Sequence, residues 1–420
     1  MVIRKRDLKK WISLLIILSP ILNIYKVATL PLSFGDLALC IVIVISIFLT
    51  SSFHYIIKKE NFNFLPIFIM FIFTTIITIV IQGRGFNASD LMSKWSRLLV
   101  YGILLDIIVP KYIDLTFAKR VLVKLTVFLS ITLIIQEFMK DIGIIILPYL
   151  RSLPLNYNTS MADLISSIYR RHSLGIWRVS TIFPEPAHFS YFGLAGLLVI
   201  LFGSDPTLLK KKDFFSAGFT TIALIICGSA IGYFVAGVTW LIWMIYNFRE
   251  KITIKAIVKL IILIVIAVIL FFRTGALQKA LYRLGTILSY SEGATGGVRL
   301  LQGIYVFKQL NIAEQIFGIG FGNVAFFLLS NSITTPFLLE IGNEYMNAFS
   351  TILVSGGVIG LSVYLWVWFK LLKNNKSILS RSTWLIISIL FCSANIFYSC
   401  TMILFIVLII SKKEFDGRIQ

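Results

Sequence analysis

The sequence predicts an all-α fold, a polytopic transmembrane helical bundle of about 12 spans. Three observations lead to that expectation. The 420 residues are 58% hydrophobic and 14% charged, with a mean hydropathy of +0.91; a soluble domain lies nearer ~45–50% apolar and ~25% charged. The apolar residues come in runs close to ~20 residues, the length at which a helix crosses hydrocarbon. These runs do not alternate as barrel strands would, and backbone groups in lipid must pair within the chain, so each run reads as helix.

The elements follow in order. Arg4-Lys5-Arg6 and Lys9-Lys10 precede the first apolar run, which contains Asn23 and Lys26 and has no small-residue cleavage site. It therefore reads as a retained span, Trp11–Leu30, and not as a signal peptide. Span 2 is Asp36–Phe53 and span 3 is Phe64–Gln82. Span 4 is Leu91–Val109, with Lys94 and Arg97 in its first turns, where long basic side chains snorkel outward. Span 5, Val121–Met139, closes a first region, residues 1–139. No span is evident in residues 140–186; Ile142–Leu150 is too short to cross and reads as interfacial. Span 6 is Ala187–Gly203. The run Phe214–Phe248 exceeds one crossing and divides at Gly228-Ser-Ala-Ile-Gly232 into spans 7 and 8, whose small residues allow close backbone approach. Span 9, Ala256–Phe272, ends a region covering 187–272. A second long loop, 273–344, contains an amphipathic helix at Val298–Leu310 and a turn at Gly318-Ile-Gly-Phe-Gly-Asn323. That turn does not follow a strand in a βαβ unit, so it is not a dinucleotide fingerprint. Span 10, Tyr345–Leu371, opens the last region, 345–420. The run Trp384–Ile410 divides near Asn395–Ser399 into spans 11 and 12.

Charge sets the orientation. The formal net charge is +20. About 25 of the 39 Lys/Arg fall at the termini and in the short loops after even-numbered spans, so these should be cytoplasmic. Both termini are then inside and both long loops outside. The basic balance thus serves topology, and nucleic acid is not an expected partner. Cys40, Cys227, Cys392 and Cys400 all lie in apolar runs without a CxxC pair, which indicates neither a disulfide frame nor a zinc site.

Long translocated loops do not need their arginines for topology. Arg84, Arg97, Arg151, Arg170, Arg171, Arg178, Arg273, Arg283 and Arg299 nonetheless face outward in this assignment. The guanidinium fork matches phosphate oxygens bidentately, whereas Lys is a point charge. Contact with lipid headgroups is one use for such groups. A lipid-linked pyrophosphate is another: a glycan on such a lipid has a good leaving group, and Arg can neutralise the charge it develops without a metal. No DxD or His/Asp cluster suited to a metal occurs in either loop, and no cofactor is implied. A base for an attacking sugar hydroxyl could be Glu185, His188, Glu340 or Glu344. Tyr157, Tyr169, Trp177 and Tyr282 could stack on sugar faces or form an interfacial aromatic belt. The densest stretch is Arg178-Val-Ser-Thr-Ile-Phe-Pro-Glu-Pro-Ala-His-Phe-Ser190, where two prolines hold Glu185 outside regular helix at a membrane boundary. The alternatives for Glu185 are a plain helix start, or a structural ion pair with an outer-loop Arg.

Three pieces of sequence resemble the O-antigen polymerase (Wzy) and O-antigen ligase superfamily. They are Ile182-Phe-Pro-Glu-Pro-Ala187 opening a span after a basic outer loop, Arg299 beginning a helix that leads to Phe317-Gly-Ile-Gly-Phe-Gly-Asn323, and Asn343-Glu-Tyr-Met346 running into Val354-Ser-Gly-Gly-Val-Ile-Gly-Leu361. Their order and the two large outer loops agree as well. The resemblance implies a GT-C-like, metal-independent membrane glycosyltransferase with two large extracytoplasmic loops, in the bacterial inner membrane and with a periplasmic active face. Its donor and acceptor would be undecaprenyl-diphosphate-linked oligosaccharides, and its partners membrane lipids and a chain-length regulator protein. Arg178, Arg283, Arg299 and Arg171 would bind the diphosphate, and Glu185, His188 and Glu344 would be the catalytic candidates. Ligases have a His-Asn pair where this chain has Gly342-Asn343, which favours a polymerase. A transporter of lipid-linked sugars is the alternative from another class; it would call for mid-bilayer charge and inverted repeats, and neither is evident.

Overall fold

The structure is a computed structural model and describes residues 5–27, 32–49, 63–81, 83, 85–147, 153–156, 160–204, 210–248, 265, 269, 295–336 and 344–410. All extended regular structure among these residues is helical, with two isolated β-bridges, Tyr25–Leu155 and Lys26–Ser33. In chain order the helices are α1 (Lys5–Leu22), α2 (Phe34–Leu49), α3 (Leu65–Ile76, continued by a π-turn at Ile77–Ile81), α4 (Ala88–Ile103, continued by a π-turn at Leu104–Ile108), α5 (Val109–Tyr112), α6 (Leu115–Asp141), α7 (Met161–Ser173), α8 (Pro186–Phe202), α9 (Lys211–Ile226), α10 (Ala230–Phe248), α11 (Thr295–Gln309), α12 (Ile312–Phe317), α13 (Val324–Ser330), α14 (Ala348–Asn374), α15 (Ile378–Ser393) and α16 (Cys400–Ile410).

Polar side chains mark where the helices start. Asn87, Asp114, Ser160, Asn347 and Ser377 each accept a hydrogen bond from a first-turn N–H of α4, α6, α7, α14 and α15. Each such cap satisfies one of the four N–H groups that a helix leaves open. Both expected hairpin divisions are present: α9 ends at Ile226 and α10 begins at Ala230, and α15 ends at Ser393 before α16 begins at Cys400. Among the described residues three helices, Leu115–Asp141, Ala230–Asn247 and Ala348–Asn374, are long and apolar enough to cross a membrane. Shorter apolar helices occupy Phe34–Ile47, Leu65–Val80, Pro186–Phe202, Ile378–Ser393 and Cys400–Ile410. The first helix stops at Leu22, earlier than the expected Leu30. The expected span 9 lies almost wholly outside the described residues.

The chain divides into two compact units, Met1–Val42 with Ile113–Ala280, and Ile43–Tyr112 with Leu281–Gln420. In the first unit, α8 packs against α6, α9 and α10 and is buried along nearly its whole length. That agrees with its sequence, which is apolar all round. The helix ends can be matched in pairs. Asp114 N–H donates to Ser13 Oγ at 2.8 Å, joining the middle of α1 to the start of α6. Lys119 Nζ reaches the Gly203 carbonyl at 3.4 Å, joining the start of α6 to the end of α8. At the opposite end Lys26 N–H donates to the Pro154 carbonyl, and Asn156 N–H to that of Ile24, each at 2.8 Å. The segments flanking α7 therefore gather at the end of the unit where α8 begins.

In the second unit, α14 packs against α3, α11, α12 and α15. Its core beneath the second long loop joins Val306, Leu310, Ile319, Val324, Phe327, Leu328, Met346 and Val354, so the loop is a packed structure. Asp106, 4% exposed, accepts from Asn63, Phe64 and Leu65 N–H at 2.9–3.1 Å and thereby caps the start of α3. α14 is broken at Gly357, which has φ +66°. The Gly-rich turn expected at 318–323 fills the break. Ile319 N–H donates to the Val354 carbonyl at 3.1 Å and Gly320 N–H to that of Ser355 at 3.0 Å. Gly318, Gly320 and Gly322 all have positive φ, and Ile319, Phe321 and Asn323 are almost fully buried. A Cβ on Gly357 would collide with the Ile316 carbonyl, and one on Gly318 with that of Ser355. Glycine is required at both contacts, and the two Gly-containing motifs are two halves of one junction.

Candidate functional site

The singled-out charged residues that the structure describes are divided between the two units. In the first unit, Trp177 is buried and Arg178 begins a descent toward α8. Arg178 Nη1 donates to the Gly228 carbonyl at 3.0 Å. Its aliphatic stem packs over Gly228, which has φ +65° and terminates α9. One arginine nitrogen thus has a structural duty, holding the α9–α10 turn beside the start of α8.

Thr181 follows in a left-handed conformation, with φ +54°. Ser180 Oγ donates to the Phe183 carbonyl at 2.5 Å, and Phe183 packs against Phe189 and Phe192. Glu185 then occupies the N-cap position of α8 with Pro186 as its first helical residue. Its carboxylate is exposed and makes no cap, hydrogen bond or ion pair among the described residues. The expectation of an arginine ion pair for Glu185 therefore finds no support there. His188, half-buried in the first turn of α8, lies with its ring 6.2 Å from that of Tyr191. Arg171 is exposed in the last turn of α7 beside Arg170 and His172, where three basic groups complement the negative helix end.

In the second unit Glu344 is held by Lys94, whose Nζ lies 2.7 and 2.6 Å from its two oxygens. The pair is half-buried, with side-chain exposures of 15% and 34%. One ammonium thus engages both oxygens of Glu344. Arg97, one turn after Lys94, and Glu344 both act electrostatically on the Tyr398 hydroxyl. The Arg299 guanidinium lies 5.8 Å from the centre of the Tyr345 ring, and the Arg299 carbonyl accepts from Asn347 Nδ2 at 2.7 Å. Arg299 Nε is buried with no hydrogen-bond partner among the described residues.

No protein-family model and no curated protein sequence matches this chain.

Arg178 and Arg299 belong to different units, and Arg283, Glu340, Arg84, Arg151, Tyr157 and Tyr282 lie outside the described residues. Each unit offers a guanidinium together with a carboxylate. In the first unit the carboxylate is open to solvent; in the second it is paired with Lys94. Sequence reading missed Gln136, which joins α6 to the Thr181 backbone, and the Lys94–Glu344 pair, whose partners are 250 residues apart. It also missed Glu137, which pairs with Lys140 at 2.6 Å while its other oxygen is buried and unpartnered among the described residues. Only the Glu137–Lys140 pair had a local signal, the i,i+3 spacing of opposite charges on a helix.

Proposed function

We propose that this chain is a polytopic, GT-C-like polymerase of lipid-linked oligosaccharide repeat units, acting at the periplasmic face of the bacterial inner membrane. In this reading a sugar hydroxyl of the acceptor unit attacks the anomeric carbon of the donor glycan. The bond from that carbon to the diphosphate oxygen breaks, polyprenyl diphosphate leaves, and the hydroxyl proton passes to a base. Glu185 is that base, with His188 the second candidate. Arg178, Arg283, Arg299 and Arg171 take the diphosphate charge, which removes the need for a metal. Glu344, tied to Lys94, orients that cation and is the weaker catalytic candidate.

The observation that carries the reading is the start of α8: an exposed carboxylate, without a partner among the described residues, one residue before an apolar helix and seven residues after a tethered arginine. A carboxylate with no structural partner at such a boundary is available for chemistry. The break in α14 favours a transporter on its face, because discontinuous helices often bind ions through unpaired carbonyls. Here the Val354 and Ser355 carbonyls are already occupied by Ile319 and Gly320 N–H, which weakens that alternative.

The test is the surface polysaccharide of a deletion strain complemented by this chain. Wild type restores a ladder of chain lengths. Glu185→Ala and Glu185→Gln leave a single capped unit while the protein stays in the membrane. Full ladders from both variants would remove Glu185 from the site, and loss of all attached glycan in the deletion strain would point to a ligase.

A further inference from the structure

We propose that Gln136 is a positioning residue that sets the Pro184-Glu185-Pro186 turn by clamping Thr181 in its left-handed conformation. This rests on the reading of Glu185 given above.

A β-branched residue at positive φ is costly, because its Cβ crowds the backbone. Such a conformation persists only where the surroundings over-determine it. Among the described residues the Thr181 hydroxyl does not hold it there: Oγ1 is buried and has no hydrogen-bond partner among them. The restraint comes from α6. Gln136 is 2% exposed, and its Oε1 accepts from Thr181 N–H at 2.8 Å. Its Nε2 donates to the Ile146 carbonyl at 3.0 Å and lies 3.4 Å from the Thr181 carbonyl. One buried amide thus ties together the chain leaving α6 and the chain approaching α8.

The restraint is passed on through short steps. Ser180 and Phe183 are joined by two hydrogen bonds, Phe183 N–H to Ser180 O at 3.0 Å and Ser180 Oγ to Phe183 O at 2.5 Å. Phe183, 2% exposed, anchors the turn to α8. Pro184 and Pro186 then leave Glu185 little torsional freedom. The hydrogen bonds of Gln136 go to Ile146 and Thr181 and not to Glu185, so its effect reaches the carboxylate through the backbone.

The experiment uses Glu185→Cys as a reporter in a Cys392→Ser background, because Cys392 is the exposed native thiol. The full-length protein in membranes is labelled with a water-soluble maleimide. Gln136→Leu should change the labelling rate at position 185 several-fold. Adding Thr181→Gly to Gln136→Leu should return it to within about twofold, since glycine adopts positive φ without the clamp. A Gln136 that matters only for packing would not be rescued this way. An unchanged rate in Gln136→Leu overturns the proposal, as does a double variant that still labels abnormally or fails to accumulate. The reporter needs no activity, so the two readings separate. If labelling responds while Glu185→Ala polymerises normally, the clamp stands and the role of Glu185 falls.

Discussion

Glu185 and Glu344 show how one residue type acquires two roles from its surroundings. Glu185 stands at a helix start with no partner among the described residues, whereas Glu344 has both oxygens on Lys94. Removing one member of a half-buried pair strands the other, which costs more than removing both. Lys94→Met should therefore lower stability in detergent by about 1–3 kcal/mol, and Lys94→Met with Glu344→Gln should recover part of that loss. Thermal unfolding of the purified variants checks this; additive losses would mean that the ion pair contributes nothing. Arg178 belongs to the same scale. Its bond to the Gly228 carbonyl fixes it in place, which reduces the entropy lost when a guanidinium binds an anion.

At the scale of elements, the interlock of the 318–323 turn with α14 is the most constrained feature of the second unit. The helix break frees two carbonyls, and the turn supplies two N–H groups to meet them. Irregular backbone inside apolar surroundings is tolerated only when its polar groups are satisfied in this way. Gly357→Ala should cost roughly 2–5 kcal/mol, from positive φ plus a collision with the Ile316 carbonyl. Gly237→Ala in α10, where nothing lies within 4 Å of the added atom, should be close to neutral. Membrane-inserted yield and melting temperature of the two variants report the difference; equal behaviour would contradict the interlock. The sequence shows glycines at both places, and each reads alone as a turn or a packing device. Their pairing depends on contact across more than 30 residues, which no local pattern encodes. The cap of α3 by Asp106 is hidden for the same reason, at separations of 41 to 43 residues. The hairpin divisions at Gly228 and at 394–399 were legible, because a run longer than one crossing must break and small or polar residues mark the break.

For the whole molecule, composition sufficed for the helical class, because a chain this apolar has few other ways to satisfy its backbone. Among the described residues three helices meet the length and hydropathy of a crossing, and further apolar helices are shorter. The full count of about 12 spans, the outward placement of both long loops and the polymerase reading rest together on positive-charge distribution and motif order. Within the first unit, α6 and α8 run in opposite directions, and Gln136, Thr181, Arg178 and Glu185 collect at the end where α8 begins. A stretch of sequence that reads as dense in charge is thus also one place in the fold. The account as a whole is tested most directly with the purified chain in liposomes, supplied with the lipid-linked units that accumulate in the deletion strain and with a metal chelator present. It predicts longer lipid-linked glycans and released polyprenyl diphosphate, both lost with Glu185→Ala. Units that cross the bilayer without lengthening, or lengthening that stops when the chelator is added, would contradict it.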